Sequence, residues 1–201
     1  TFTELDPYVT AGSDLSGVIT AYGYVEGNPV YAFSQDINVK KGALTEAQTE
    51  KIVKIYDLAA KTGVPVVGIY DSFGADLSNG CKALNSYGKL LMWMSNLSGV
   101  VPQISVVAGT CPGTAAMLAE SADFVVVTQD SEIFAASNSD VKNSAENAAE
   151  NGTAAIVAKD DKEAVEAAKN ILLKLPQNNL SPVPMYEFEL SDISFGKDAV
   201  S

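Results

Sequence analysis

The sequence contains no histidine and no arginine, and all 13 of its basic residues are lysine. A Ser-His-Asp or Cys-His hydrolase needs an imidazole base, so both classes are excluded. Histidine-ligated zinc is excluded for the same reason, and Cys81 and Cys111 are thirty residues apart, a poor spacing for a zinc site. We therefore expect no metal in this chain. We interpret both cysteines as small buried residues and expect a cytoplasmic location, where thiols stay reduced.

The sequence also lacks an apolar run long enough to cross a bilayer and a signal peptide at its start, which predicts no membrane insertion. Its net charge of −12 argues against nucleic acid or an anionic membrane as a partner. The 201 residues are 47% hydrophobic and 19% charged, which is typical of a globular protein. We predict one domain at residues 1–179. The partly apolar tail at 180–201 is expected to dock on a groove of its own chain or of a partner.

Segments with strand and helix patterns alternate along the chain. This alternation predicts an α/β fold with a mixed, largely parallel sheet flanked by helices. The helix at 81–97 carries large apolar residues on a broad surface, which indicates a core or subunit contact. Residues 1–15 are expected to be loop, and residues 137–152 a polar helix or mobile segment. Strands are predicted at 17–25, 30–34, 64–70, 104–108, 124–128, 132–136 and 154–158, and helices at 45–63, 81–97, 115–121 and 161–175.

Two turns follow buried strands, at residues 71–75 and 109–114. The second leads into a helix of small residues, so unpaired backbone N–H groups and the helix dipole meet at one point. Such a turn suits an anion, or an oxygen that becomes an anion during a reaction. Similar turns also occur in α/β proteins merely to reverse the chain. A second turn of the same design favours the functional interpretation, in which the two turns converge on one pocket.

Several separate motifs resemble those of the biotin-dependent acyl-CoA carboxyltransferases, in the same order and over about residues 4–179. They include VVGIYDSFG before the first turn and GTCPGTA at the second. The segments that carry the resemblance are residues 17–23, 29–36, 42–46, 65–74, 98–105, 109–115 and 175–179.

The resemblance implies a crotonase-like (ClpP-like) fold, a spiral of β-β-α units. It also implies transfer of a carboxyl group between carboxybiotin and the α carbon of a short acyl-CoA. The chain is similar to the N-terminal domain of the family, so a C-terminal-type carboxyltransferase subunit is an expected partner. Biotin is expected on a separate biotin carrier protein, and a homo- or hetero-oligomer is expected for the assembly.

The resemblance also assigns roles to residues of the two turns. The family's Cys-Ala-Gly-Gly-Ala matches residues 111–115, so the amides of Gly113 and Thr114 are expected to hold the enolate oxygen. The family's Asp-Ser-Gly-Gly-Ala-Arg matches residues 71–76 and places the coenzyme A path beside this turn. The expected coenzyme-binding residues are Lys40, Lys41, Phe73, Gly74, Ala75, Cys111 and Pro112.

Three positions depart from the family pattern. Thr114 and Phe73 each replace a glycine, and Asp76 replaces an arginine. These changes leave open a non-catalytic paralogue that keeps the fold to build a carboxylase or decarboxylase complex. A biotin-independent crotonase-type acyl-CoA enzyme is a third interpretation, which would use a carboxylate such as Asp71, Asp76 or Glu120.

Overall fold

The computed structural model describes residues 2–11, 14–76, 78, 80–136 and 143–185. Its strands are β1 (Phe2–Leu5), β2 (Thr10–Ala11), β3 (Asp14–Leu15), β4 (Val18–Val25), β5 (Asn28–Gln35), β6 (Val66–Tyr70), β7 (Gln103–Val107), β8 (Thr110–Pro112), β9 (Phe124–Thr128), β10 (Glu132–Phe134) and β11 (Ile156–Ala158). Its helices are α1 (Glu46–Thr62), α2 (Cys81–Leu97), α3 (Thr114–Glu120), α4 (Ala145–Glu150) and α5 (Asp161–Lys174), with a short 3-10 turn at Lys40–Gly42.

Seven strands form the main sheet in the order β1-β4-β5-β6-β7-β9-β11. The β1–β4 and β4–β5 pairs are antiparallel, and every pair from β5 to β11 is parallel. This confirms the predicted mixed, largely parallel sheet. All five residues of β7 are buried, as expected for a central parallel strand with cover on both faces. Two small sheets, β8–β10 and β2–β3, lie outside the main one.

The helices begin and end where local sequence signals place them. Thr45 caps α1 by accepting a hydrogen bond from the Gln48 N–H at 3.2 Å, and Gly63 ends the helix with a φ of +66°. Asp160 caps α5 by accepting from the Glu163 N–H at 2.9 Å. The helices α1, α2 and α3 contribute to the larger buried core, and α5 packs a second, smaller cluster of apolar residues on the sheet.

Two predictions need correction. Residues 2–5 were expected to be loop but form β1, because β4 offers an edge with backbone groups to pair. The expected burial is right for Cys111 and wrong for Cys81, which is exposed at the start of α2. The core contact expected of α2 is confirmed for Tyr87, Leu90, Met94 and Leu97, which are buried, while Leu84 is 76% exposed.

The polar segment predicted at 137–152 is helical over α4, and residues 137–142 lie outside the described residues. Most of the tail, from residue 186 onward, also lies outside them. Within the described ranges, no helix combines the length and apolarity needed to span a bilayer. In the same ranges, no group of three or more acidic or cysteine side chains is arranged to hold a metal ion.

Candidate functional site

The two turns lie side by side at the carboxyl edge of the sheet, because β6 and β7 are adjacent parallel strands. The Ser72 N–H donates to the Thr110 carbonyl at 2.8 Å, which joins the turns through the backbone. A Cβ atom placed on Gly74 would lie only 3.6 Å from Pro112 Cγ. The structure therefore brings Gly74 and Pro112 together, as expected for turns that converge.

Asp71, in the turn at residues 71–75, contacts the turn at residues 109–114. Its carboxylate accepts a hydrogen bond from the Thr110 backbone, and it fills the space where a side chain on Gly109 would otherwise stand. Burial raises the pKa of Asp71, and the Thr110 hydrogen bond opposes that rise. This contact gives Asp71 a positioning role between the turns.

Asp71→Asn is expected to raise the Tm at pH 7. Because the pKa of Asp71 is raised above its ordinary value of 3.8, the folded protein binds this proton more tightly than the unfolded chain does. The stability that Asp71 contributes is fully present below pH 3.8 and is lost as the pH rises through the folded-state pKa. Asparagine does not titrate, and its oxygen can still accept from Thr110. Melting curves recorded from pH 3 to 8 should show a Tm difference between Asp71→Asn and the unchanged protein that grows with pH. A Tm difference that stays constant would contradict the raised pKa of Asp71.

In the turn that precedes α3, one of the two predicted donor amides is hydrogen-bonded and the other is not. The Gly113 N–H donates to the Phe134 carbonyl at 2.7 Å and so continues the β8–β10 pairing. Thr114 is the first residue of α3, and the first amides of a helix have no acceptor within it. The structure thus engages the Gly113 amide elsewhere, contrary to its expected role, and leaves the Thr114 amide available.

In the turn at residues 71–75, backbone and side-chain acceptors take most of the amides. The Ser72 N–H donates to Thr110, as described above. The Phe73 N–H donates to the Lys41 carbonyl, and the Gly74 N–H donates to Ser72 Oγ, both at 3.0 Å. Among the described residues, no acceptor is present for the Ala75 N–H. Sequence reasoning placed Ala75 beside the coenzyme but missed it as a donor, because no motif shows which amides the fold leaves unpaired.

The lysine loop before α1 packs against the same turn. Lys40, Lys41 and Gly42 all have φ between 50° and 67°, so the chain makes a tight left-handed bend. Lys41 Nζ lies 5.7 Å from the centroid of the Phe73 ring, which is 58% exposed. A cation at this distance from a ring face is attracted to it.

Lys40 and Asp76 form an ion pair across the same loop. Lys40 Nζ lies 3.5 Å from Asp76 Oδ2. Hydrogen bonding from Ser78, and then Lys40, lowers the pKa of Asp76. The charge of Lys40 is therefore partly balanced within the chain. No ion pair to Lys41 is present in the part of the chain that the structure describes.

The remaining candidates lie in the second turn and in α3, and they differ in burial. Cys111 is fully buried, and burial raises the pKa of its thiol to about 12. The thiol is therefore neutral at pH 7 and unsuited to act as a nucleophile. Any contact from Cys111 to a ligand would come from its backbone, while Pro112 is partly exposed beside Gly74. Burial also raises the pKa of Glu120.

A mixed sheet with two glycine-bearing turns at its carboxyl edge, and unengaged amides in both, is the arrangement that the resemblance to a crotonase-like α/β protein predicts. Comparison with known proteins agrees. The chain belongs to the carboxyl transferase domain family, whose family model matches residues 9–194.

Among curated relatives, the chain is 37% identical to methylmalonyl-CoA decarboxylase subunit alpha of Propionigenium modestum over 94% of its own length. It is 39% identical to the propionyl-CoA carboxylase beta chain of Saccharopolyspora erythraea over 85% of its length. It spans 41% and 34% of those two proteins, respectively.

Among solved structures, the chain superposes on transcarboxylase 12S with bound hydrolysed methylmalonyl-coenzyme A. The TM-score is 0.87 at 32% identity, over 92% of this chain and 42% of that one. The crotonase-like fold expected from the sequence is confirmed.

Proposed function

We propose that this chain is the N-terminal-type subunit of a biotin-dependent acyl-CoA carboxyltransferase and that it binds the acyl-CoA substrate. The observation that carries the proposal is the pair of unengaged amides, Thr114 and Ala75, on two turns that touch each other. Relatives named for propionyl-CoA and methylmalonyl-CoA support a short acyl group.

The amides would act on the thioester oxygen. Loss of a proton from the α carbon gives an enolate whose negative charge rests on this oxygen. Preformed donors stabilise such a charge without reorganising, and removal of one donor of this kind costs about 3 kcal/mol in known enzymes. Gly74, without a side chain, leaves room for the thioester between the turns. Carboxybiotin, bound to a separate carrier protein, would supply the carboxyl group, and the ureido nitrogen that it leaves free would take up the α proton. In the reverse direction, biotin without the carboxyl group would accept it.

The coenzyme end would lie toward the lysine loop. The phosphates of coenzyme A are negative, and the chain has an overall charge of −12, so a local cation is needed. Lys41 meets this need because no carboxylate of the described residues pairs with it. Phe73 offers an exposed ring beside it, and Lys40 contributes less because Asp76 balances it.

Titration with propionyl-CoA tests the proposal. We expect micromolar binding by calorimetry, either to the chain alone or to its complex with a C-terminal-type subunit. Lys41→Glu should weaken binding about 10-fold, a change of about 1.4 kcal/mol, because it places a negative charge beside the phosphates. Asp76→Arg should tighten it, since it removes the carboxylate that balances Lys40.

Lys174→Glu is the matched control. It makes the same change in net charge at the C-terminal end of α5, far from the carboxyl edge of the sheet, and should leave binding unchanged. Equal weakening by both variants would mean that only the overall charge matters. Absence of binding in both settings would instead favour the non-catalytic paralogue, for which the exposed ring of Phe73 and the balanced charge of Lys40 are the supporting observations.

A further inference from the structure

A small cavity lies in the core behind the two turns. It is bounded by the helices α1, α2 and α3 and by the strands β5 and β6. Two residues of its wall, Ala115 and Tyr70, are the chain neighbours of Thr114 and Asp71 in the turns. Every lining residue except the partly exposed Gln35 is buried. The cavity volume is about 10 Å³, which is the space that one water molecule needs.

Two polar atoms on the wall of this cavity have no hydrogen-bond partner among the described residues. They are the hydroxyl oxygen of Tyr87, on α2, and the side-chain oxygen Oε1 of Gln35, at the end of β5. Both atoms are buried, and a buried polar atom without a partner is costly because it has lost its hydrogen bonds to water. The two other tyrosines of the wall, Tyr56 and Tyr70, hydrogen-bond to each other.

The orientation of the Gln35 amide determines which of its atoms faces the cavity. Gln35 Nε2 donates to the Gly42 carbonyl at 3.5 Å, a long hydrogen bond that directs the amino group toward the lysine loop. Oε1 is therefore left for the cavity, and a carbonyl oxygen can only accept. The Tyr87 hydroxyl can donate. A water molecule that accepts from Tyr87 and donates to Gln35 satisfies both groups at once.

We propose that this cavity binds one ordered water molecule, which bridges the Tyr87 hydroxyl and Gln35 Oε1. The volume is too small for a larger ligand, and the two polar atoms supply the partners without which a cavity stays dry. A water held there connects α2 to β5 and, through Gln35, to the Gly42 carbonyl of the lysine loop. This inference goes beyond the acyl-CoA proposal and does not depend on it.

A crystal structure of the unchanged chain that resolves ordered waters tests the site directly. We expect a water peak within about 3.2 Å of both Tyr87 Oη and Gln35 Oε1. A cavity without a water peak would overturn the proposal. So would a direct hydrogen bond between the two side chains, because each would then satisfy the other. A water that contacts only one of the two atoms would contradict the bridge.

Tyr87→Phe gives a second measurement, and its sign distinguishes a hydrated hydroxyl from a dry one. If the hydroxyl binds the water, its removal breaks a hydrogen bond and leaves the water with one partner fewer. The Tm should then fall by about 3 °C. If the hydroxyl is dry, its removal relieves the cost of burying it, and the Tm should rise. An unchanged or raised Tm would therefore contradict the proposal.

Tyr8→Phe is the matched control. It removes the same hydroxyl group from a side chain that is 92% exposed, so it should leave the Tm unchanged. An equal fall of the Tm in both variants would show that the loss at Tyr87 does not come from the cavity. If Tyr87→Phe does not fold, the crystal structure of the unchanged chain still decides.

Gln35→Met removes the other partner of the water and shows whether the two side chains share it. Because one water serves both groups, Tyr87→Phe should lower the Tm less in the Gln35→Met protein than in the unchanged protein. Melting curves of the two single variants and the double variant measure this coupling. Additive changes in Tm would contradict a shared water.

Discussion

Thr114→Pro is expected to lower kcat for acyl-CoA carboxylation by about 10²- to 10³-fold, measured with the assembled carboxyltransferase. Proline has no N–H, so this change removes the donor that the structure leaves available at the start of α3. It should not disrupt the helix, because proline is well accommodated at the first helical position. The KM for the acyl-CoA should change less than kcat, since the amide acts mainly on charge that develops during the reaction.

Thr114→Ala separates the amide from the side chain. Alanine keeps the N–H and removes the hydroxyl and methyl groups, so kcat should stay within a few-fold of the unchanged protein. Both variants should melt close to the unchanged protein. If proline and alanine gave equal rates, the Thr114 amide would have no part in holding the enolate.

Gly42→Ala is expected to lower the free energy of unfolding by about 2–4 kcal/mol. Gly42 has a φ of +67°, and a Cβ atom there would overlap the carbonyl oxygen of Asp71. Left-handed backbone costs about 1–3 kcal/mol for other residues, and overpacking against rigid backbone adds a similar amount. Urea unfolding measures the change. Because the lysine loop must move away from the turn at residues 71–75, propionyl-CoA binding should weaken as well.

Gly27→Ala isolates the backbone part of this effect. Gly27 also has a positive φ, +85°, but nothing lies within 4 Å of the position its Cβ would take. Its alanine variant should lose only about 1 kcal/mol and keep its affinity for propionyl-CoA. Equal losses in the free energy of unfolding would show that overlap with the Asp71 carbonyl contributes nothing to the effect of Gly42→Ala.

Several elements could be predicted from the sequence because their signals are local. The α1 helix has a threonine cap, apolar residues at helical spacing and a glycine stop, and all three act within a few residues. The buried parallel strands β6 and β7 are mostly apolar runs bounded by turns. The resemblance to the carboxyltransferases added the expected crotonase-like arrangement of these elements, which the family match and the transcarboxylase 12S structure confirm.

Other features depend on partners far away in the sequence. The strand β1 has no strong pattern of its own and exists because β4 presents a pairing edge. Whether a cysteine at a helix start is buried depends on what packs over it, which explains why Cys81 is exposed.

The sequence by itself determined where the two turns lie, which residues form them, and that the given chain supplies no imidazole or guanidinium group to the site. Only the tertiary structure decided which amides remain available. Phe134, brought in by the β8–β10 pairing, takes the N–H of Gly113, while Ser72 takes that of Gly74. Every residue except proline carries the same N–H, so its availability depends on which acceptor the fold places against it.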